Sequence, residues 1–292
     1  MIEGCGTAII TPFDRKGKVD EPGLRRLVDF QERNGIDFIV PCGTTGESAT
    51  LTHEEHLDVI RIVIDQAKKA KVIAGTGSNA THEAIHLSKG AMDLGADGLL
   101  LISPYYNKPT QKGIVKHYEA IAKVVDLPLI VYNVPGRTSS NILPSTILKL
   151  SETPNIVAVK EASGNLSQIM SLIDCVPKGF SVLSGDDNLT FPMMALGANG
   201  VISVASNLVP KEVGQMTHAA LNGKWNEARK THYRLLPLFT NLFLETNPIP
   251  VKTAVGMMGM PAGGFRLPLC EMEPANQEIL RKTLADLGLL AK

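Results

Sequence analysis

Short apolar runs recur along the chain at intervals of roughly 20 to 35 residues. Several runs, such as FIV, LLLI and PLIVY, are apolar on consecutive residues, which is typical of strands buried on both faces of a parallel sheet. The pattern predicts about eight strands, at residues 5–10, 37–41, 71–75, 98–102, 127–132, 155–160, 181–184 and 200–204.

Amphipathic stretches of helical length separate these strands, for example at residues 21–34, 52–69 and 82–93. The second stretch opens with Thr52 and has Glu55 three residues later, which is the pattern of a capping box. Strand and helix therefore alternate along the chain, and eight such units favour a closed barrel over a doubly wound sheet.

The strand pattern ends near residue 209, and only helices are predicted beyond it, at residues 211–222, 224–244, 251–258 and 274–287. We therefore predict an α/β fold, a (β/α)8 TIM barrel over residues 1–209. A C-terminal helical extension packed on the barrel is predicted over residues 210–292.

Composition narrows the class of ligand. Lysine plus arginine number 29 and aspartate plus glutamate also 29, so no bulk field attracts nucleic acid or an anionic membrane. No leader-like N-terminal segment or membrane-spanning apolar run is evident. The four cysteines form no CxxC pair, so a disulfide or zinc framework is not indicated. We expect a cytoplasmic protein that acts on small molecules.

In a barrel of this kind the active site forms at the C-terminal ends of the strands. The second predicted strand runs into GTTGES at residues 43–48, where two glycines free the backbone and two hydroxyls can bind a carboxylate. The alternative is an ordinary turn that caps the next helix. Thr44 and Thr45 are the candidate binding residues here.

The fifth predicted strand ends in Tyr132, and Arg137 follows a Pro-Gly turn five residues later. The phenol suits a proton relay, and the guanidinium suits a carboxylate clamp. Each residue also has a plain alternative, since a tyrosine at a strand end often only packs and a loop arginine is usually solvated.

In the sixth predicted strand the apolar run at residues 156–159 is followed directly by Lys160, which places an amine at the mouth of an apolar barrel. Desolvation there lowers the pKa of an amine, and the neutral form attacks ketones. Alternatively, Lys160 is a solvated rim residue paired with Glu161. The seventh and eighth strands end in glycine-containing turns that bring main-chain groups near a ligand, and we take Gly185 and Ile202 as candidate substrate contacts there.

Taken in order, seven motifs resemble those of the dihydrodipicolinate synthase family, and the resemblance spans nearly the whole chain. The wider superfamily, with N-acetylneuraminate lyase and 2-keto-3-deoxy sugar acid aldolases, resembles this sequence in the glycine turn, the tyrosine and the lysine. The motifs are GTTGES (43–48), SPYYNKP (103–109), YNVPGRT (132–138), VKEASGN (159–165), SGDD (184–187), GVISV (200–204) and NPIPVK (247–252).

The resemblance implies a lyase of lysine and diaminopimelate biosynthesis that joins pyruvate to L-aspartate 4-semialdehyde without a metal or organic cofactor. It implies that Lys160 forms an imine with pyruvate and that Thr45 holds the pyruvate carboxylate. Arg137 resembles the arginine that grips the semialdehyde carboxylate. Tyr132, Thr44 and Tyr106 correspond to the residues that shuttle protons.

The resemblance also concerns assembly and regulation. The family's relay takes its last tyrosine from a neighbouring subunit, so Tyr106 implies at least a dimer, and a homotetramer built as a dimer of dimers is expected. Feedback inhibition by lysine is a hypothesis, and the alternative is that the histidines of the set are exposed polar residues on one helix face. The positions that match the family's allosteric lysine site are Ser48, Ala49, His53, His56, Asn79, Glu83 and Tyr105.

Four other interpretations compete with this one. Residues 75–80 fit a loose GxGxxA dinucleotide-binding turn, but no acidic residue ends the following strand, which makes an oxidoreductase a remote alternative. His53 and His56 stand three apart, so they do not form the HExxH motif of zinc hydrolases. A non-catalytic binding barrel is conceivable. The serious rival is another Schiff-base pyruvate aldolase, such as a keto-sugar-acid enzyme or N-acetylneuraminate lyase.

Overall fold

Eight parallel strands close into a barrel in chain order within residues 1–290, the part of the chain that the computed structural model describes. β1 is hydrogen-bonded to β8, which completes the ring and confirms the closure predicted from eight βα units. The strands are β1 (Gly4–Ala8), β2 (Phe38–Val40), β3 (Lys71–Gly75), β4 (Gly98–Ile102), β5 (Leu129–Asn133), β6 (Ile156–Glu161), β7 (Ser181–Ser184) and β8 (Gly200–Ser203).

The strands are buried on both faces, which is why their sequences read as continuous apolar runs. Alternate residues point into the barrel, where Val40, Ile130 and Ile202 belong to one apolar cluster. The residues between them point outward into a larger core shared with the surrounding helices, as Ile39 and Val131 do. The barrel interior is therefore packed with side chains, and ligand space is left only at its ends.

Helices on the outside connect the strands. α2 starts with the predicted capping box, because the Thr52 hydroxyl accepts the N–H of Glu55 and the Glu55 carboxylate accepts the N–H of Thr52. The helices are α1 (Glu21–Arg33), α2 (His53–Gln66), α3 (Thr81–Asp93), α4 (Gln111–Ala122), α5 (Pro135–Thr138), α6 (Pro144–Leu150), α7 (Leu166–Cys175), α8 (Asp187–Ala195), α9 (Pro210–Leu221), α10 (Trp225–Asn241), α11 (Ile249–Met257) and α12 (Pro274–Asp286).

The end of the barrel and the start of the extension meet in α9. This helix packs against β1 and β8 and so occupies the place of the eighth outer helix, although it lies beyond the predicted boundary at residue 209. α10 packs on α8 and α9, and α12 packs on α10 and α11. The division at residue 209 stays a prediction, and residues 291 and 292 of the predicted extension lie outside the described residues. Across residues 1–290, no helix is both long and apolar enough to cross a membrane.

Candidate active site

Lys160 lies near the C-terminal end of β6, inside the barrel. Because side chains alternate along a strand, Ala158 and Lys160 point inward while Val159 and Glu161 point outward. Only 5 % of Lys160 is exposed. Glu161 instead accepts hydrogen bonds from Asn133 and from a main-chain N–H. The alternative of a solvated rim lysine paired with its neighbouring glutamate is therefore wrong.

Tyr132 is the strand neighbour of Lys160. The two residues are register partners of β5 and β6, and the Lys160 Nζ atom lies 4.3 Å from the centre of the tyrosine ring. Burial raises the pKa of the Tyr132 phenol to about 12, while nearby Arg137 and the Thr44 side chain oppose the rise. A protonated phenol is thus held next to the amine, where it can donate a proton.

Burial also lowers the pKa of Lys160 to about 8, even though Asp186 and Asp187 act in the opposite direction. With that pKa, about one amine in ten is neutral at pH 7. Asp186 belongs to the same site, and burial raises its pKa to about 6. Sequence reasoning passed over Asp186 because the SGDD segment was considered only for its main chain. The signal that could have found it is an acidic side chain directly after a barrel strand.

A cavity of about 50 Å³ lies over Lys160, where a single water needs roughly 10–15 Å³. It therefore has room for a molecule of a few heavy atoms. Its walls come from seven of the eight strands or the loops after them, and from the segment before α11. The lining residues are Ala8, Gly43, Thr44, Thr45, Leu100, Tyr132, Val134, Arg137, Lys160, Gly185, Asp186, Val204, Phe243 and Asn247.

Asn247 joins the two candidate carboxylate-binding residues. Its side-chain Nδ2 donates to the Thr45 hydroxyl at 3.0 Å, and its main-chain carbonyl accepts a hydrogen bond from Arg137 at 3.1 Å. The Asn247 Oδ1 atom is buried and has no hydrogen-bond partner within residues 1–290. The sequence analysis assigned Asn247 no role and so missed this residue. The NPIPVK motif was the available signal.

The remaining predicted substrate contacts differ in position. Gly185 lies against the lysine stem, since a Cβ built there stands 3.0 Å from the Lys160 Cε atom and 2.7 Å from the Ala162 Cβ atom. Ile202 is fully buried in the barrel interior and does not line the cavity. Tyr106 is 88 % exposed in the loop after β4 and does not reach the cavity within one chain.

A second cavity, of about 220 Å³, opens beside the loop that follows the glycine turn. Six of the seven residues of the predicted lysine site line this cavity. The seventh, Asn79, follows a lining residue in the sequence but does not line the cavity itself. His56 is buried and its Nε2 atom lies 2.7 Å from the Gly75 carbonyl, so it is not the exposed helix residue of the alternative interpretation. The six residues are Ser48, Ala49, His53, His56, Glu83 and Tyr105.

The geometry disfavours the dinucleotide and zinc interpretations. Gly77 packs so closely on β4 that a Cβ there would lie 2.3 Å from the Ile102 main-chain nitrogen, so packing against the barrel accounts for this glycine without a bound dinucleotide. His53 is exposed while the His56 ring is directed at the Gly75 carbonyl. Across residues 1–290, no group of three or more His, Cys, Asp or Glu residues is arranged to hold a metal ion.

Comparison with known proteins gives a consistent result. The family model described as Dihydrodipicolinate synthetase family matches residues 1–287. A protein of Geotalea uraniireducens (strain Rf4) named 4-hydroxy-tetrahydrodipicolinate synthase is 54% identical, with 99% of this chain and 100% of that protein covered. A protein of Aquifex aeolicus (strain VF5) with the same name is 53% identical, with 100% of both chains covered.

Solved structures of relatives share the fold of this chain, and two of them contain a bound ligand. The dihydrodipicolinate synthase of Aquifex aeolicus superposes with a TM-score of 0.97 at 52% identity and 100% coverage of both chains. The chloride-inhibited enzyme of Acinetobacter baumannii, solved as a complex with pyruvate, has a TM-score of 0.97, 45% identity and coverage of 99% of this chain and 100% of that chain. The enzyme of Cyanidioschyzon merolae, solved with lysine bound, has a TM-score of 0.96, 44% identity and 99% coverage of both chains.

Proposed function

This chain belongs to the dihydrodipicolinate synthetase family, and we infer from its site that it is a lyase that condenses pyruvate with L-aspartate 4-semialdehyde. The observation that carries this conclusion is the buried Lys160 amine, whose pKa is lowered to about 8, directly beside the Tyr132 phenol. A neutral amine and a proton donor are the two groups that imine formation needs. The expected product is 4-hydroxy-tetrahydrodipicolinate, the compound that appears in the names of the relatives.

The first half-reaction joins pyruvate to Lys160. The neutral Nζ attacks the keto carbon, the oxygen takes up protons through Tyr132, and water leaves to give the iminium. Thr45, which already accepts a hydrogen bond from Asn247, keeps its hydroxyl proton free to donate to the pyruvate carboxylate. Thr44 lines the cavity beside Tyr132 and extends the relay.

The second half-reaction forms a carbon–carbon bond. Loss of a methyl proton turns the iminium into an enamine, whose carbon attacks the aldehyde of the semialdehyde while Arg137 holds that substrate's carboxylate. The substrate's own amine then attacks the iminium carbon, closes the ring and releases Lys160. One water leaves overall and no electrons are gained or lost, so the imine serves as the electron sink and neither a metal nor an organic cofactor is required.

Borohydride trapping tests this function. Incubation with pyruvate and borohydride should reduce the imine and label the peptide that contains Lys160, and peptides with exposed lysines such as Lys71 and Lys123 serve as internal controls. Lys160→Ala should abolish both labelling and turnover. A wild-type protein that turns over semialdehyde without any labelled Lys160 would overturn the mechanism.

The active unit is an oligomer in which a neighbouring subunit supplies Tyr106, and a tetramer built as a dimer of dimers is proposed. Support comes from the Tyr106 side chain, which is 88 % exposed and away from the site of its own chain. Mixing the inactive variants Lys160→Ala and Tyr106→Phe should restore activity, because a mixed dimer has one site with both residues. No recovery after subunit exchange would contradict the shared relay.

Lysine acts as a feedback inhibitor in the second cavity, and the enzyme works in lysine and diaminopimelate biosynthesis in the cytoplasm. The convergence of Ser48, His53, Glu83 and Tyr105 on one cavity supports an amino-acid ligand, as does the lysine-bound relative. Within residues 1–290, all four cysteines are free, which is usual for proteins of reducing compartments.

A further inference from the structure

A buried ion pair stands behind the candidate pyruvate site. The side chains of Glu47 and Lys252 are both 0% exposed and form a salt bridge with each other. The Lys252 Nζ atom also donates to the Gly264 carbonyl at 2.8 Å and lies 4.3 Å from the centre of the Phe13 ring. Neither residue of the pair lines the cavity around Lys160.

The pair connects the glycine turn at residues 43–46 with the segment that leads into α11. Glu47 directly follows this turn, has a left-handed backbone with φ of 55°, and donates its N–H to the Thr44 carbonyl at 3.1 Å. Lys252 lies in the first turn of α11, five residues after Asn247. Asn247 in turn donates to the Thr45 hydroxyl. The same two segments are thus joined twice, once inside the cavity and once behind it.

A pair of this kind is a poor device for stability alone. The desolvation of two buried charges commonly cancels their attraction, and a well-packed apolar pair often serves as well. Glu47 also holds a strained backbone conformation, which persists only where the surroundings impose it. What the pair does supply is a fixed position of one segment relative to the other. A buried carboxylate and a buried ammonium that are both held by hydrogen bonds can move very little.

We propose that Glu47 and Lys252 are positioning residues that hold the turn with Thr44 and Thr45 against α11, so that the Thr45 hydroxyl faces the pyruvate carboxylate and the Thr44 hydroxyl stays beside Tyr132. The inference rests on the proposed function, because the role of this turn in pyruvate binding is part of that proposal. The pair touches no substrate and acts only through the turn. Its loss should therefore weaken pyruvate binding more than it affects the semialdehyde.

The test compares the double variant Glu47→Gln/Lys252→Met with each single variant. Burial lowers the pKa of Lys252 and the Glu47 carboxylate raises it, so a single variant leaves one uncompensated polar group in the core. The double variant removes both charges at similar volume and leaves only a neutral amide in the core, so it should melt closer to the wild type than either single variant. We expect its KM for pyruvate to rise about tenfold or more, with a smaller change for the semialdehyde and with borohydride labelling of Lys160 retained at saturating pyruvate.

Two further variants separate positioning from general destabilisation. Thr7→Val removes a buried hydrogen bond to Gln31 in the barrel wall and should lower the melting temperature without changing the KM for pyruvate. Glu47→Asp keeps both charges but retracts the carboxylate by one methylene, so it should raise that KM, and it decides the question if the double variant does not fold.

The outcomes are distinguishable. A folded double variant, or a folded Glu47→Asp variant, whose KM for pyruvate stays within about twofold of the wild type would overturn the positioning role. Absence of pyruvate labelling in the wild-type protein would instead overturn the proposed function itself.

Discussion

The Nζ atom of Lys160 lies 4.3 Å from the centre of the Tyr132 ring, on the adjacent strand of the barrel. The aromatic ring shields the amine from water, and in the proposed mechanism its hydroxyl supplies the proton. Because register fixes this relationship, the reactive pair is built from rigid strands and not from mobile loops. The site is therefore formed before any substrate arrives.

The pH profile of the first half-reaction should report the pKa of Lys160. We expect kcat/KM for pyruvate to rise with pH and to level off above about 8, because only the neutral amine attacks. Asp186 stabilises the ammonium form, so Asp186→Asn should move the inflection to lower pH by about half to one unit. Asp174→Asn, an exposed acid on α7, is the control. An unchanged inflection in Asp186→Asn would exclude this coupling.

Lys160 should lower the free energy of unfolding of the protein. Its pKa falls from the ordinary lysine value of 10.5 to about 8 on folding, so the folded chain binds fewer protons between these values and stability rises with pH through this window. At pH 7 the penalty is fully present. Lys160→Met should therefore be more stable than the wild type by on the order of 1–3 kcal/mol.

Urea unfolding measures this difference. The gap between Lys160→Met and the wild type should be larger at pH 7 than at pH 9.5, where the folded amine is already neutral. A gap of the same size at both pH values would show that packing, and not ionisation, accounts for the difference.

Gly185→Ala should impair catalysis. The new methyl group would meet the Ala162 Cβ atom at 2.7 Å and the Lys160 Cε atom at 3.0 Å, so the backbone at Ala162 and the lysine stem must both shift. We expect turnover to fall about tenfold or more. Gly214→Ala on α9, where the nearest atom is 3.9 Å away, is the matched control and should retain full turnover. Equal activity of both variants would show that the lysine stem can adjust.

Arg137→Ala should separate the two half-reactions. Loss of a charged hydrogen-bonding partner for the semialdehyde carboxylate should raise the KM for that substrate about 10- to 100-fold. Borohydride trapping of pyruvate should change much less. Arg137→Lys keeps the charge but loses the planar guanidinium group, so its KM for the semialdehyde should lie between those of the wild type and Arg137→Ala. Equal damage to both half-reactions would contradict the assigned role.

Lysine inhibition should depend on Glu83, which lines the second cavity and accepts a hydrogen bond from Ser78. Glu83→Gln removes the negative charge that faces an ammonium group, so the half-inhibitory lysine concentration should rise about tenfold. Turnover without lysine should stay unchanged. Glu54→Gln, an exposed acid outside the cavity, is the control. A flat response of the wild type up to several millimolar lysine would remove the regulatory proposal.

Much of the fold could be predicted from the sequence because burial on two faces favours apolar residues at most strand positions. All eight predicted strands are present with boundaries displaced by a few residues at most, and the capping box of α2 forms as expected. Lys160 could also be found in this way, because an amine directly after the apolar run at residues 156–159 differs clearly from its neighbours.

Tertiary structure alone decided what surrounds that amine. Asp186 in the loop after β7 raises the pKa of Lys160, Asn247 donates to Thr45 from beyond the barrel, and Lys252 pairs with Glu47 in the core. These partners are far apart along the chain, and local periodicity carries no information about them. The sequence by itself determined the strands and helices, because the burial of each element leaves a local apolar pattern. Barrel closure and the packing of α11 determined which polar groups meet, because an interaction across a closed barrel depends on where every intervening element lies.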